Sequence, residues 1–274
     1  MPTRSPSSSA RPPTERVLAD CRGFVFDLDG CVWQGNTLNP GAAETLTALH
    51  RAGRGVAFLT NNSRARSEDV RTKLRRLGLA WAEHTLTPLE ILGEVIAERF
   101  GPSRVLVIGA PELAEVVLEA GHEIVAVPDF RKATVVAVGN DFDLSYERLG
   151  AASRAAAAGA PLVTPNVDAR LPIEDGDFLP GCGAIVAAVS AAAGVAPIVV
   201  GKPEPPLFRI ALARLGLDAA HAAMVGDSVE SDVAGGRRAG MRTVLYAPAG
   251  AAAGAADVVV RSFGELARLA GVPG

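Results

Sequence analysis

The sequence predicts an α/β fold built on a doubly wound parallel sheet, and two observations carry that expectation. Short β-branched runs alternate with longer stretches of helical periodicity from Arg22 onward. The strand-like runs are apolar throughout rather than alternating, as strands are when helices bury both faces of a parallel sheet. Phe24-Val25-Phe26 reads as the first strand, Ala42 to Ala52 as a helix and Val56 to Leu59 as the next strand. Ser67 to Leu77 follows as a helix, with Val70, Leu74 and Leu77 on one face. The pattern repeats in the strand Val105 to Ile108, the helix Glu112 to Ala120, the strand Val135 to Val138, the helix Tyr146 to Ala158 and the strand Leu162-Val163. Beyond these come Val199-Val200, the helix Leu207 to Leu215, Ala223 to Val225, the helix Val233 to Ala239, Thr243 to Leu245 and Val258 to Val260.

Composition narrows the function classes. The 274 residues carry 27 Lys+Arg against 30 Asp+Glu, a net charge of −3, with 49% hydrophobic and 21% charged residues. Without a clustered basic surplus, adhesion to a nucleic acid polymer or to anionic lipid is disfavoured. Gly183 to Gly201 holds nineteen residues without a charge. Its Ala content, Ser190, and Gly194 followed by Pro197 read as a helix, its terminus and the strand Ile198 to Val200, so no membrane span is expected. Cys21, Cys31 and Cys182 are odd in number and lack CxxC spacing, so neither a disulfide framework nor a zinc site is suggested, and a reducing cytoplasm fits best. Met1 to Glu15 lacks the apolar core of a secretory signal. Residues 1–18 are expected to be a disordered tail, an organelle transit peptide being the alternative.

In parallel sheets ligands bind at the carboxyl ends of strands, and four such positions are chemically loaded. They are Asp27-Leu28-Asp29-Gly30, Thr60-Asn61-Asn62-Ser63, Gly201-Lys202-Pro203 and Gly226 to Asp232. About 140 residues separate the second cluster from the third, enough for an inserted domain. Asp27, Asp29, Asp227 and Asp232 gathered at a sheet edge repel unless neutralised, and oxygen donors without His or Cys suit Mg²⁺. Lys202, the Thr60 hydroxyl and the donors of Asn61 and Asn62, the latter two expected at a helix start, complete an anion site that matches phosphate. The implied chemistry is phosphoryl transfer, with one carboxylate as nucleophile and a second as general acid and base.

The motifs DLDGCVWQG, LTNNS, LPGCGAI, VVGKP and GDSVESDVAGGRRAG resemble the haloacid dehalogenase-like superfamily of aspartyl phosphatases. Within it they resemble the p-nitrophenyl phosphatase and phosphoglycolate phosphatase branch, which carries a large α/β cap (type IIA). The resemblance covers the chain from about Arg22 to its end and implies a Rossmann-like core of residues 19–82 and 180–274 with a cap of 83–179. It implies that Asp27 is the nucleophile, Asp29 the general acid and base, and that Thr60, Asn61 and Lys202 hold the phosphoryl oxygens. Mg²⁺ would be held by Asp27, the backbone carbonyl of Asp29 and Asp227, with Asp232 supporting the metal or Lys202. The expected activity is Mg²⁺-dependent hydrolysis of a small organic phosphate monoester. A phosphotransferase or mutase of the same superfamily, or a non-catalytic protein that binds a phosphorylated metabolite, remain the alternatives, and a homodimer through the cap is the allowed oligomer.

Other residues carry blander expectations. His50, His84, His122 and His221 lack ligand spacing and are expected in solvated or capping roles. Cys31 is expected to be a small buried residue, the alternative being an oxidisable thiol beside the nucleophile. Trp33 is expected either at the pocket mouth or in packing. Arg64 and Arg66 are expected on an exposed helix start, and Asn140 to Asp143 at a cap strand end that faces the core site.

Overall fold

The computed structural model describes residues 18–172, 177–252 and 254–273; the expected tail therefore lies outside the described residues, apart from Leu18. The chain opens with strand β1 (Gly23–Asp27), a short hairpin of β2 (Trp33–Gln34) and β3 (Thr37–Leu38), helix α1 (Ala42–Arg51), strand β4 (Gly55–Leu59), helix α2 (Ser67–Arg76) and strand β5 (Thr85–Leu86). A second group follows: α3 (Leu92–Phe100), β6 (Arg104–Ile108), α4 (Pro111–Glu119), β7 (Glu123–Val125), β8 (Val135–Val138), α5 (Tyr146–Ala157) and β9 (Leu162–Thr164). Next come the hairpin β10 (Arg170–Pro172) and β11 (Phe178–Pro180), helix α6 (Cys182–Ala193) and strand β12 (Ile198–Val199). The chain ends with α7 (Pro205–Leu215), β13 (Ala222–Gly226), α8 (Ala234–Arg238), β14 (Arg242–Tyr246), β15 (Val258–Val260) and α9 (Phe263–Ala270).

Two parallel sheets result. The first runs β15-β14-β13-β1-β4-β5 and the second β12-β9-β8-β6-β7, with every neighbouring pair parallel. Counted within its own sheet, the first has the doubly wound order 3-2-1-4-5-6, and the second the order 2-1-3-4-5. Strand side chains point alternately to opposite faces, and here both faces are buried. In β1, Phe24 and Phe26 join one apolar cluster with Phe58, Leu46 and Phe263, while Val25 joins another with Ala57 and Leu59. In β6 and β8, Val105, Val135 and Ala137 face that second cluster, whereas Leu106, Ile108, Val136 and Val138 face α5 and α6. Burying a side chain such as Phe26 or Ile108 contributes about 1.5–3 kcal/mol relative to exposure.

Three expectations are corrected. Helix α6 and strand β12, expected in the core, belong with the second sheet: β12 pairs with β9, and Ile185, Val186 and Val189 pack with Ala152, Ala155 and Val138. Thr85 and Leu86, expected in the cap, pair with Phe58 and Leu59 of the first sheet. Residues 229–233 form one π-turn before α8, so the expected helix start at Val233 lies inside an existing turn. The uncharged stretch Gly183 to Gly201 is α6, a Gly194 terminus in the left-handed conformation and β12. Among the described residues, no helix is long and apolar enough to cross a membrane.

Candidate active site

The carboxyl ends of β1 and β13, adjacent in the first sheet, are its switch point, where the strand order reverses and a crevice opens. Asp27 ends β1, and Asp227 directly follows β13. Asp27, Asp227 and Asp232 each place a carboxylate oxygen within 4.8 Å of the others. Two glycines make this approach feasible. A Cβ on Gly30, whose φ is +94°, would lie 2.2 Å from Asp227 Oδ2, and one on Gly226 would lie 2.2 Å from Asp232 Oδ2.

Lys202 arrives from the other sheet, three residues beyond the end of β12. Its ammonium donates to Asp27 Oδ1 and, at 2.7 Å, to Asp232 Oδ1. All three groups are buried, Asp27 being 5% exposed, Lys202 4% and Asp232 1%. Asp232 is held further by the Ser228 backbone N–H, which donates to Oδ2 at 3.1 Å. Burial favours the neutral amine, but the charges of Asp27 and Asp232 outweigh it and hold the Lys202 pKa above the usual lysine range. Burial also pushes the Asp27 carboxyl up to about 7, against the pull of Lys202 and with the charges of Asp232 and Asp227 adding to it. Asp227 is raised as well, by burial and then by Asp232.

With all three carboxylates ionised, they and the one ammonium carry a net charge of −2, which one divalent cation cancels. The donors are oxygens alone, as Mg²⁺ prefers, so the residues present fit that ion. Asp29 stands apart from the cluster. Its Oδ1 accepts from the Trp33 indole N–H at 2.8 Å and its Oδ2 from the Thr60 hydroxyl at 3.2 Å, so its carboxylate is engaged elsewhere than with Asp27, Asp227 and Asp232.

The second-motif residues take up positions of their own. Thr60 is buried and accepts the Asn62 backbone N–H at 3.0 Å. The Asn61 side chain clamps the backbone of Lys202: Nδ2 donates to the Lys202 carbonyl at 2.9 Å, and Oδ1 accepts the Lys202 N–H at 2.8 Å. Neither Asn61 nor Asn62 opens a helix, because α2 begins at Ser67. Arg66 pairs with Glu115 and Glu119 of α4, and Arg64 lies over the Phe142 ring at 5.1 Å. Cys31 is fully buried, and burial followed by the charge of Asp27 raises its thiol well above the ordinary value; it is a packed residue. His122, expected in a solvated or capping role, is instead buried, with its ring between Ser103 N–H and the Gly93 carbonyl.

The carboxylates, Thr60, Asn61 and Lys202 line a cleft of about 990 Å³ whose wall also includes Asn140, Asn166, Asp168 and Arg170. Asn166 Nδ2 donates to the Asn61 carbonyl at 2.8 Å, and Asn140 Nδ2 to Ser63 Oγ at 3.1 Å, tying the two sheets together across the cleft. Asn166 follows β9 by two residues; the strand-end rule that located Asp27 also points to it. The role of Trp33 has only one sequence signal, its position four residues after Asp29.

A family model described as haloacid dehalogenase-like hydrolase matches residues 24–123, and a second, described as HAD-hydrolase-like, matches 199–257. Chronophin of Mus musculus is 35% identical over 84% of this chain and 82% of its own. The crystal structure of a 4-nitrophenylphosphatase from Thermotoga maritima shares 31% identity with a TM-score of 0.81, covering 93% of this chain and 99% of that one. That of a glycerol phosphate phosphatase from Mycobacterium tuberculosis, in complex with magnesium, shares 29% identity with a TM-score of 0.76, covering 90% and 77%.

Proposed function

The chain belongs to the haloacid dehalogenase-like hydrolases, a phosphatase by that kinship, and from this premise we propose that it hydrolyses small organic phosphate monoesters through a phosphoryl group carried on Asp27. The observation that carries the proposal is the Lys202 ammonium shared by Asp27 and Asp232 at the switch point of the first sheet. The ammonium neutralises the carboxylate pair and offers a fixed positive charge to an incoming phosphoryl group.

In the first step an Asp27 carboxylate oxygen forms a bond to phosphorus while the bond from phosphorus to the ester oxygen breaks. The Asp29 carboxyl gives its proton to that departing oxygen, releasing the alcohol. In the second step Asp29, now a carboxylate, takes a proton from water as the water oxygen bonds to phosphorus. The bond between Asp27 and phosphorus breaks, releasing inorganic phosphate and restoring both carboxyl groups. Trp33 fixes the orientation of Asp29 for both transfers, and the Thr60 hydroxyl, which donates to Asp29 in the structure, turns its single proton to the phosphoryl group when substrate binds. Lys202, together with the Thr60 hydroxyl and the backbone N–H of Asn61, binds the phosphoryl oxygens. Mg²⁺ would be held by Asp27, Asp227 and the Asp29 carbonyl, with Asp232 supporting it through Lys202. It would supply charge neutralisation for the nucleophile and the phosphoryl oxygens.

The wall contributed by the second sheet restricts the cleft, which favours metabolites over phosphoproteins. A phosphate-release screen over sugar phosphates, glycerol phosphate, phosphoglycolate, nucleoside monophosphates and pyridoxal phosphate tests this function. Release without an added acceptor, abolished by chelation and restored by Mg²⁺ but not by Ca²⁺, is expected. Release that requires an acceptor alcohol, or equal support by Ca²⁺, contradicts it.

A further inference from the structure

The chain leaving β9 folds into a tight turn against the catalytic loops. Pro165 disfavours a helical Thr164. The Thr164 hydroxyl donates to the Asn166 carbonyl at 2.9 Å, and the Asp168 backbone N–H donates to Asn166 Oδ1 at 3.3 Å. Asn166 is buried. Two backbone bonds tie this turn to the segment that leads into Lys202: the Val200 N–H donates to the Thr164 carbonyl at 3.0 Å and the Gly201 N–H to the Pro165 carbonyl at 2.8 Å. The approach requires glycine, since a Cβ on Gly201 would lie 2.6 Å from the Pro165 carbonyl oxygen and 2.7 Å from Asn61 Oδ1.

With its carbonyl and Oδ1 engaged inside the turn, Asn166 presents Nδ2 outward, where it donates to the Asn61 carbonyl at 2.8 Å. That carbonyl shares a peptide group with the Asn62 N–H, which donates to Thr60 Oγ at 3.0 Å. The Thr60 hydroxyl donates in turn to Asp29 Oδ2 at 3.2 Å. A continuous chain of hydrogen bonds therefore runs from the second sheet, through one peptide group and one hydroxyl, to the Asp29 carboxylate. Bonds in such a chain polarise one another: a donor on the carbonyl strengthens the N–H of the same peptide, and a donor on the hydroxyl oxygen strengthens its O–H. The hydroxyl has a single proton. With the Asn62 N–H fixed on Oγ, the directions open to that proton are restricted.

We propose that Asn166 is a positioning residue for the Thr60 hydroxyl, acting through the peptide group between Asn61 and Asn62. It keeps the Thr60 O–H aimed and strengthened as a donor, first to Asp29 and then to the phosphoryl group, so that contact between the two sheets sets the grip on the transferring group. The inference rests on the phosphatase reading above. A rival route runs through Lys202, because the Asn61 side chain also clamps the Lys202 backbone. The two routes separate in a double-mutant cycle, which measures whether the effect of one residue needs the other.

Asn166→Ser is the variant of choice, because its shorter hydroxyl still accepts the Asp168 N–H and keeps the turn but does not reach the Asn61 carbonyl. In Mg²⁺-loaded protein, kcat for p-nitrophenyl phosphate is expected to fall about fivefold, the effect of one hydrogen bond. In the Thr60→Val background the same substitution should cost less than about twofold, and in Thr60→Ser, which keeps the hydroxyl, about fivefold again. Wild-type kcat in Asn166→Ser overturns the proposal. So does an equal loss in the wild-type and Thr60→Val backgrounds, which would place the effect in Lys202 or in packing of the sheets. A wild type that turns over neither p-nitrophenyl phosphate nor the metabolites named above strikes the phosphatase reading instead. In that event, or if Asn166→Ser does not fold, the free protein decides by nuclear magnetic resonance. Coupling along the chain is reciprocal, so Thr60→Val should move the Asn166 side-chain amide proton resonance upfield. No movement overturns the proposal.

Discussion

The indole N–H of Trp33 donates to Asp29 Oδ1 at 2.8 Å, and Trp33 is itself 3% exposed beneath the Lys73 ammonium, which lies 3.9 Å from the ring centroid. The loop between them is tight: Val32 and Trp33 both donate backbone N–H groups to the Leu28 carbonyl, and Gly30 donates to the Trp33 carbonyl. A buried indole N–H gains by meeting an acceptor, and here the acceptor is the group assigned to move the proton. Lys73, anchored on the Gly35 carbonyl at 2.7 Å, adds a positive charge over the ring.

Trp33→Phe keeps an aromatic ring, though a smaller one, and removes the donor. A hydrogen bond to a charged group is worth about 1.5–3 kcal/mol, so kcat on an alkyl phosphate is expected to fall about tenfold or more. An aryl phosphate, whose leaving group needs little protonation, should lose much less in kcat, and KM should change little for either. Equal losses on both substrates would mean that Trp33 supports the fold and not Asp29.

Asn61 is expected to matter through Lys202. Its two hydrogen bonds to the Lys202 backbone together are worth about 1–3 kcal/mol, and their loss in Asn61→Ala should lower Tm and reduce kcat/KM at least tenfold. Asn61→Asp retains the acceptor for the Lys202 N–H and should recover part of both. Activity at wild-type level in Asn61→Ala would show that Lys202 is held without the clamp.

In metal-free protein, the raised Asp27 carboxyl makes stability depend on pH. Its folded value, about 7, lies above the ordinary 3.8, so the folded state retains a proton that the unfolded state releases between these values. Stability contributed by this group is therefore present at low pH and falls as pH rises across that window. Lys202 holds its proton throughout the same range. Chelated wild type should consequently lose more Tm than Asp27→Asn between about pH 5 and about pH 7.5, as measured by calorimetry. The same loss in both proteins would place the titration elsewhere.

The first sheet and its loaded strand ends were legible because Phe24 to Phe26, Val56 to Leu59 and Ala223 to Val225 are apolar runs that end abruptly in Asp27, Thr60 and Asp227. The domain division was less legible. Ile198 and Val199 are two β-branched residues that suit either sheet, and only their register with Val163 and Thr164 decides. Thr85-Leu86 and the Trp33 hairpin are too short for periodicity to show. The duties of Asn61 and Thr60 depend on partners 141 and 31 residues away, and residue type does not reveal such pairings.

Phosphoryl transfer to Asp27 is the central claim, and Asp29→Asn protein tests it most directly. p-Nitrophenyl phosphate supplies a leaving group that departs without a proton from Asp29, while the missing carboxylate stalls the attack of water. Acid quenching during turnover and peptide mapping by mass spectrometry should find the phosphoryl group on the peptide containing Asp27, approaching one per chain. Release of p-nitrophenol with no phosphoryl group on that peptide, or with the group on another residue, would contradict the account.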